Sequence, residues 1–170
     1  MPYNLGMLIL IISDIHDNRP NLTKCLGWAK KAGVEKIICT GDVTNGDTLE
    51  FLANNFLGEI FLIRGNMDLY DENEVGHYLN IKYLGRYGIT EVGNHKIGLC
   101  HEPFFIDSVR KLDQNLEIIF YGHTHKPWLN DIKGQLEVNP GTLSGTFQKA
   151  TFATWETDNK KIELKVLELI

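Results

Sequence analysis

Three short aliphatic runs, Leu8 to Ile12, Lys36 to Cys39 and Glu59 to Ile63, alternate with two segments of helical periodicity, and that alternation confines the chain to few folds. Each run is continuous rather than alternating, the pattern of a strand covered on both faces. After the first run, Pro20 takes a first-turn position, and Leu22, Cys25, Leu26 and Ala29 recur at helical spacing until Gly33 stops them. Thr48 to Asn55 supplies a second helix. A βαβαβ series requires parallel strands joined by right-handed crossovers, so the C-terminal ends of all three strands are predicted to meet at one edge.

The second half changes character. Ile81 to Leu84, Tyr87 to Val92 and Lys96 to Cys100 are predicted strands, with Gly93-Asn94 as a hairpin turn between the last two. Phe105 to Leu112 reads as a helix, and Glu117 to Tyr121, Leu136 to Val138, Phe152 to Glu156 and Ile162 to Leu169 as further strands. The elements suggest an α/β fold of two packed sheets flanked by helices. No repeat, low-complexity stretch or linker divides it, so residues 7–170 are expected to form a single domain. Residues 1–6 are expected to be a flexible tail, with Met7 an alternative natural start. A chain of 170 residues buries enough core to need no disulfide.

A formal charge of -5 with no basic block argues against wrapping nucleic acid, while leaving room for a small phosphorylated ligand. Cys25, Cys39 and Cys100 are odd in number and lack metal-finger spacing, which favours buried, reduced thiols and a cytoplasmic protein. The longest apolar run, Met7 to Ile12, is far too short to span a bilayer, and no export signal precedes it.

Polar clusters fall where the apolar runs stop. Ser13-Asp14-Ile15-His16 follows the first, Thr40-Gly41-Asp42 the second and Arg64-Gly65-Asn66-Met67-Asp68 the third, with Cys100-His101 and Gly122-His123-Thr124-His125 further on. Asp14 and His16, one residue apart in extended backbone, would project to the same side. Alone, Asp-x-His, Gly-Asp and Gly-Asn are mostly turn chemistry. His123 and His125 are the strongest local signal, because paired imidazoles after an aliphatic strand and a glycine have few structural uses. Carboxylate, imidazole and one amide oxygen together form a donor set for divalent cations. His77 and His95 lie outside the arrangement and are expected at the surface.

In order and spacing, Asp14-x-His16, Gly41-Asp42, Gly65-Asn66-x-Asp68, His101 and Gly122-His123-x-His125 resemble the calcineurin-like metallophosphoesterase signature. The Ser-Asp-x-His opening and Asn139-Pro140-Gly141-Thr142 resemble its small YfcE-like phosphodiesterase branch. The resemblance implies a four-layer α/β/β/α sandwich of two mixed β-sheets. It implies that Asp14, His16, Asp42 and His125 hold one metal and Asp42, Asn66, His101 and His123 the other, with Asp42 bridging. Asn66 and His101 then also act in catalysis. Two divalent ions are implied, manganese or nickel first, zinc or iron as alternatives. The reaction the resemblance implies is attack of a metal-bridging hydroxide on a small phosphodiester. A homodimer is compatible with the family.

The chain departs from the wider family at Met67, where many members carry a histidine thought to protonate the leaving group. Without that donor, diesters with activated aryl leaving groups are expected to outrun alkyl monoesters. Glu102 stands where small relatives often have glycine and is expected to point outward more than into the mouth of the site. Asp68 lacks its usual histidine partner. The main alternative is a non-catalytic interaction scaffold on the same fold; a nuclease is disfavoured by the absence of a basic track.

Overall fold

The computed structural model describes residues 6–170; of the expected tail, residues 1–5 lie outside the described residues. The order is β1 (Leu8–Ile12), α1 (Arg19–Ala32), β2 (Lys36–Cys39), α2 (Gly46–Asn55), β3 (Glu59–Leu62), α3 (Glu72–Val75), β4 (Ile81–Tyr83), β5 (Tyr87–Val92), β6 (His95–Cys100), α4 (Ile106–Leu112), β7 (Ile118–Phe120), β8 (Trp128–Ile132), β9 (Gln135–Asn139), β10 (Thr151–Glu156) and β11 (Lys161–Val166). Two mixed sheets result. One runs β11-β10-β1-β2-β3-β4 and the other β5-β6-β7-β9-β8.

The first helix shows how local sequence sets the frame. Asn18 accepts a hydrogen bond from the Asn21 amide at its start, Pro20 lies in its first turn, and Gly33 closes it in the left-handed conformation at φ 76°. Leu22, Cys25, Leu26 and Ala29 form its buried face. β1, β2 and β3 pair in parallel, with Leu10 beside Ile37 and Ile37 beside Ile60. Their polar C-terminal extensions therefore share one edge.

Three apolar clusters give the layers. One packs α1 and α2 on the first sheet through Leu22, Leu49, Leu52, Leu10 and Ile37. A second fills the space between the sheets, where Ile9, Ile11, Phe61 and Trp155 meet Ile97, Leu99, Phe120 and Val138. A third seats α4 on the outer face of the second sheet through Val109, Leu116 and Ile119. The two-faced strands of the first half are covered on both sides, as their continuous hydrophobicity required.

Some expectations fail for physical reasons. β8 was not predicted: Asn130 and Asp131 interrupt its apolar pattern, and as the last strand of its sheet it has little burial to encode. α3, a four-residue element of polar sequence, also lacks a periodic signal. The final predicted strand ends at Val166, and a 3₁₀ turn covers Leu167–Leu169. His95 is only partly exposed; its ring lies edge-on to Trp155 at 5.4 Å, with Nδ1 3.0 Å from a Glu117 oxygen. Among the described residues no helix is long and apolar enough to cross a membrane.

Candidate metal centre

Beyond the ends of β1 and β2 the two chains stay hydrogen-bonded through their loops. The amides of Asp14, Ile15 and His16 donate to the carbonyls of Gly41, Asp42 and Asp42 at 3.0, 2.9 and 3.0 Å. The loop after β3 docks on the same place: the Met67 amide donates to Asp42 Oδ1 at 2.8 Å. Asp68, buried, accepts from the amides of Thr44 and Gly65 at 2.8 and 2.7 Å and from the Tyr70 hydroxyl at 3.1 Å. It thus joins the second loop to the third and needs no histidine partner. From the other sheet, the His123 amide donates to Asp14 Oδ2 at 3.0 Å, and the Gly122 amide to the His101 carbonyl at 3.0 Å.

Close approach of these loops depends on glycine. A Cβ on Gly41 would stand 2.6 Å from the Gly65 nitrogen and 3.0 Å from His101 Nδ1, and one on Gly122 would overlap the Ser13 hydroxyl. Strain gathers here as well. Among the described residues, ten non-glycine positions have positive φ, and Asp14, His16, Asp42, His123 and His125 are five of them. Left-handed backbone at such residues costs of order 1–3 kcal/mol each and persists where surrounding contacts over-determine it. The expected extended geometry of Asp14-x-His16 is therefore wrong, since φ is 53° and 44° at the two residues; the curled loop, not strand alternation, brings their side chains together.

The structure brings all seven predicted donors into one contiguous group. Asp14 Oδ1 lies 3.2 Å from His125 Nε2, 3.7 Å from His16 Nε2 and 3.9 Å from His101 Nε2. Asp42 Oδ2 lies 3.2 Å from His101 Nε2 and 3.7 Å from His16 Nε2. His123 Nδ1 lies 2.8 Å from Asn66 Oδ1, and its ring meets that of His101 edge-on at 5.3 Å. Two overlapping triads, Asp14 with His16 and His125 and Asp14 with Asp42 and His101, have the spacing of cation ligands. His77 stays apart from this group.

Backbone carbonyls set the imidazole tautomers. Thr40 O faces His101 Nδ1 at 2.7 Å and Thr146 O faces His125 Nδ1 at 3.2 Å, so each ring, when neutral, keeps its proton on Nδ1 and leaves the Nε2 lone pair, aimed at the carboxylate cluster, for a cation. These buttresses were not read from the sequence, because a carbonyl carries no side-chain signal. Thr142 and Ser144 were also missed: the Thr142 hydroxyl and the Ser144 amide both donate to the Asp14 carbonyl at 3.0 Å.

Without cations, the electrostatics are those of carboxylates short of positive charge. Burial alone would raise the Asp14 carboxyl, but the imidazoles of His125 and His16 beside it and the charge of His101 hold it well below the usual carboxylate range. Burial likewise opposes the His101 imidazolium, yet Asp42 and Asp14 push its pKa up to about 9. The Asp14 carboxylate beside it raises His125. Asp14 Oδ1 and His101 Nε2 are buried without a hydrogen-bond partner. Two orphaned ligand atoms amid carboxylates and imidazoles fit divalent cations of the borderline class.

Met67 and Glu102 flank this group differently. Met67 is half exposed beside Asn66, whereas Glu102, expected to point outward, is only 5% exposed and has an oxygen without a partner.

The profile of the calcineurin-like phosphoesterase superfamily domain matches residues 7–160. A probable metallophosphoesterase of Methanocaldococcus jannaschii is 32% identical over 145 residues, covering 80% of this chain and 68% of its own. Vacuolar protein sorting-associated protein 29 of Schizosaccharomyces pombe is 26% identical over 142 residues, 82% of this chain and 73% of its own. Among solved structures, an archaeal phosphodiesterase superimposes with a TM-score of 0.83 over 94% of this chain and 99% of its own, at 24% identity. YfcE, a phosphoesterase from E. coli, gives 0.67 over 95% and 100%, at 19% identity. At these identities the two structures show a common fold.

Proposed function

The chain belongs to the calcineurin-like phosphoesterase superfamily, and on that premise we propose that residues 7–170 act as one two-metal phosphodiesterase domain of the small YfcE-like branch. The observation that carries the reading is the single network formed by seven donors drawn from five loops. Asp14, His16, Asp42 and His125 would hold one cation, and Asp42, Asn66, His101 and His123 the other. Asp42 Oδ2 stands within 3.7 Å of both His16 and His101, which supports a bridging role. Divalent ions bound there supply an activated water and positive charge for the phosphoryl oxygens. Manganese or nickel is favoured, with zinc or iron also suited to the donors.

The chain's own residues do the rest. Thr40 and Thr146 hold His101 and His125 in the tautomer that presents Nε2. Asn66, with its oxygen beside His123, can turn its amide nitrogen toward a phosphoryl oxygen as charge develops there. At position 67 a thioether offers no proton to the departing group, and general-acid help is worth about 10²–10⁴ in rate. Leaving groups that depart as stable anions are accordingly preferred, so the substrate is a small phosphodiester with an activated leaving group. Three buried cysteines without disulfides support a cytoplasmic setting.

One observation favours a second reading, an interaction scaffold without turnover: the likeness to the sorting-associated protein of Schizosaccharomyces pombe. The full donor set weighs against it. The deciding experiment compares a bis-aryl phosphodiester with an alkyl phosphomonoester in the presence of manganese, with Asp42→Asn as control and metal content measured throughout. Metal-dependent hydrolysis that prefers the diester and vanishes in folded Asp42→Asn is expected. Monoester preference, or full activity of that variant, would refute the assignment; no metal-dependent turnover at all would favour the scaffold.

A further inference from the structure

The two sides of the sandwich end differently. On one, the chain itself crosses between the sheets, from β4 through Leu84-Gly85-Arg86 into β5. On the other, the terminal strands β11 and β8 each pair on one side only, with β10 and β9 respectively. An apolar groove of about 190 Å³ opens between them, lined by Trp128, Leu129, Val138, Ala153, Ile162 and Leu164. Trp128, Leu129 and Leu164 are 61%, 53% and 47% exposed. A free strand edge beside an apolar groove is a template for another strand.

The side chains of β11 identify that strand. Its register with β10 puts Leu164 opposite Ala153 and Ile162 opposite Trp155, so the even-numbered row faces the space between the sheets. Lys161, Glu163 and Lys165 form the other row, with Glu163 paired to Lys161 at 2.5 Å and to Lys165 at 2.6 Å. Two copies of β11 joined antiparallel about a two-fold axis have two registers with matching faces near the strand centre. Centred on Glu163, the pairing opposes Glu163 to itself and Lys161 to Lys165, a like-charge arrangement throughout. Centred on Leu164, it opposes Glu163 to Lys165 twice, and on the apolar face Leu164 to Leu164 and Ile162 to Val166. Opposite charges directly across a ladder stabilise it and like charges oppose it.

We propose that the chain self-associates by antiparallel pairing of β11 with β11 of a second copy, in the register centred on Leu164, so that the groove beside β8 is closed by the partner. The first sheet then continues across the two-fold axis, and neither copy presents β11 as an open edge. This association is independent of the phosphodiesterase reading, since none of the seven donors lies on β8 or β11.

Sedimentation equilibrium of the full chain from about 1 to about 200 µM tests it by mass action. A species of twice 19.4 kDa is expected at the upper end, with Trp128 emission shifting to the red as dilution exposes it. Lys165→Glu should weaken association about tenfold by setting two acids against each other, and Glu163→Lys combined with Lys165→Glu should restore it. Far-UV circular dichroism verifies that both variants fold. A wild-type chain that stays at 19.4 kDa leaves the edge free for a foreign strand and overturns the proposal. So does stronger association of Lys165→Glu, which the Glu163-centred register demands, or indifference to both changes, which pairing through β8 would produce.

Discussion

Replacing Gly65 by alanine is the sharpest probe of how the candidate centre is held. Gly65 does not need left-handed backbone, so alanine is conformationally allowed and its cost is steric alone. The added Cβ would stand 2.8 Å from Asp42 Cγ, with the Asp42 nitrogen and Oδ1 closer still, against ordinary contact from 3.4 Å. The nitrogen is backbone, and the carboxylate oxygen is held by the Met67 amide, so neither gives way without cost. Backbone movement to relieve such overpacking costs about 1–3 kcal/mol. Turning the Asp42 carboxylate away strands the Met67 amide and costs about 1–3 kcal/mol more. Together the metal-free variant should lose roughly 4 kcal/mol, and manganese affinity should fall about tenfold or more as Asp42 leaves its place. Gly27→Ala is the control: it lies within α1 with nothing within 4 Å of the new methyl, and should gain about 0.5–1 kcal/mol. Urea unfolding of the chelated proteins and calorimetric titration with manganese give both quantities. If Gly65→Ala stays within about 1 kcal/mol of wild type and binds manganese equally well, the packing argument is wrong.

The remaining predictions concern protons and thiols. His101, pushed up to about 9 from 6.5, contributes to metal-free stability fully below pH 6.5, and that contribution is lost as pH rises through 9. Asp14 works in the opposite direction, contributing above 3.8 and losing that contribution in acid. Chelated protein should therefore melt lower as pH is raised from 6.5 to 9, while manganese affinity climbs over the same window because the cation displaces the His101 proton; a flat melting profile in chelator would contradict this. Burial pushes Cys39 and Cys100 up to about 12 and raises Cys25 as well. At pH 8 the thiolate fraction of the first two is about 10⁻⁴, so a thiol reagent should find no cysteine in the native chain and three after unfolding. Rapid native labelling would show that the helix and sheet layers open far more readily than their packing implies.

The first half of the fold was legible because every signal agreed: two-faced strands, a capped helix with Pro20 and Gly33, and polar residues at strand ends. The site was legible for the same reason, since parallel strands must deliver their ends to one place. The reason given for Asp14 and His16 was nonetheless wrong. Left-handed φ at a non-glycine residue is imposed by partners distant in the chain, here Gly41, Asp42 and Ser144, and leaves no trace in Asp-Ile-His itself. β8 escaped for a related cause, because an edge strand exposed on both faces shows neither a continuous apolar run nor strict alternation. Glu102 was misplaced because burial of a lone carboxylate contradicts its chemistry, and no local pattern announces it.

The place of β10 between β1 and β11 bears on how the molecule is made. A nascent chain leaves the ribosome with β1, β2 and β3 in hand, yet one flank of β1 waits for a partner more than a hundred residues later, where Leu10 meets Thr154. Until then the most hydrophobic strand of the protein keeps a ladder of amides and carbonyls unspent, and such long-range closure is slow. Assembly of the cation pocket is subject to the same delay, since Ser144 and Thr146, which brace Asp14 and His125, arrive only just before β10. Residues up to Thr146 must therefore have emerged before Asp14 and His125 have the contacts that brace them for a cation.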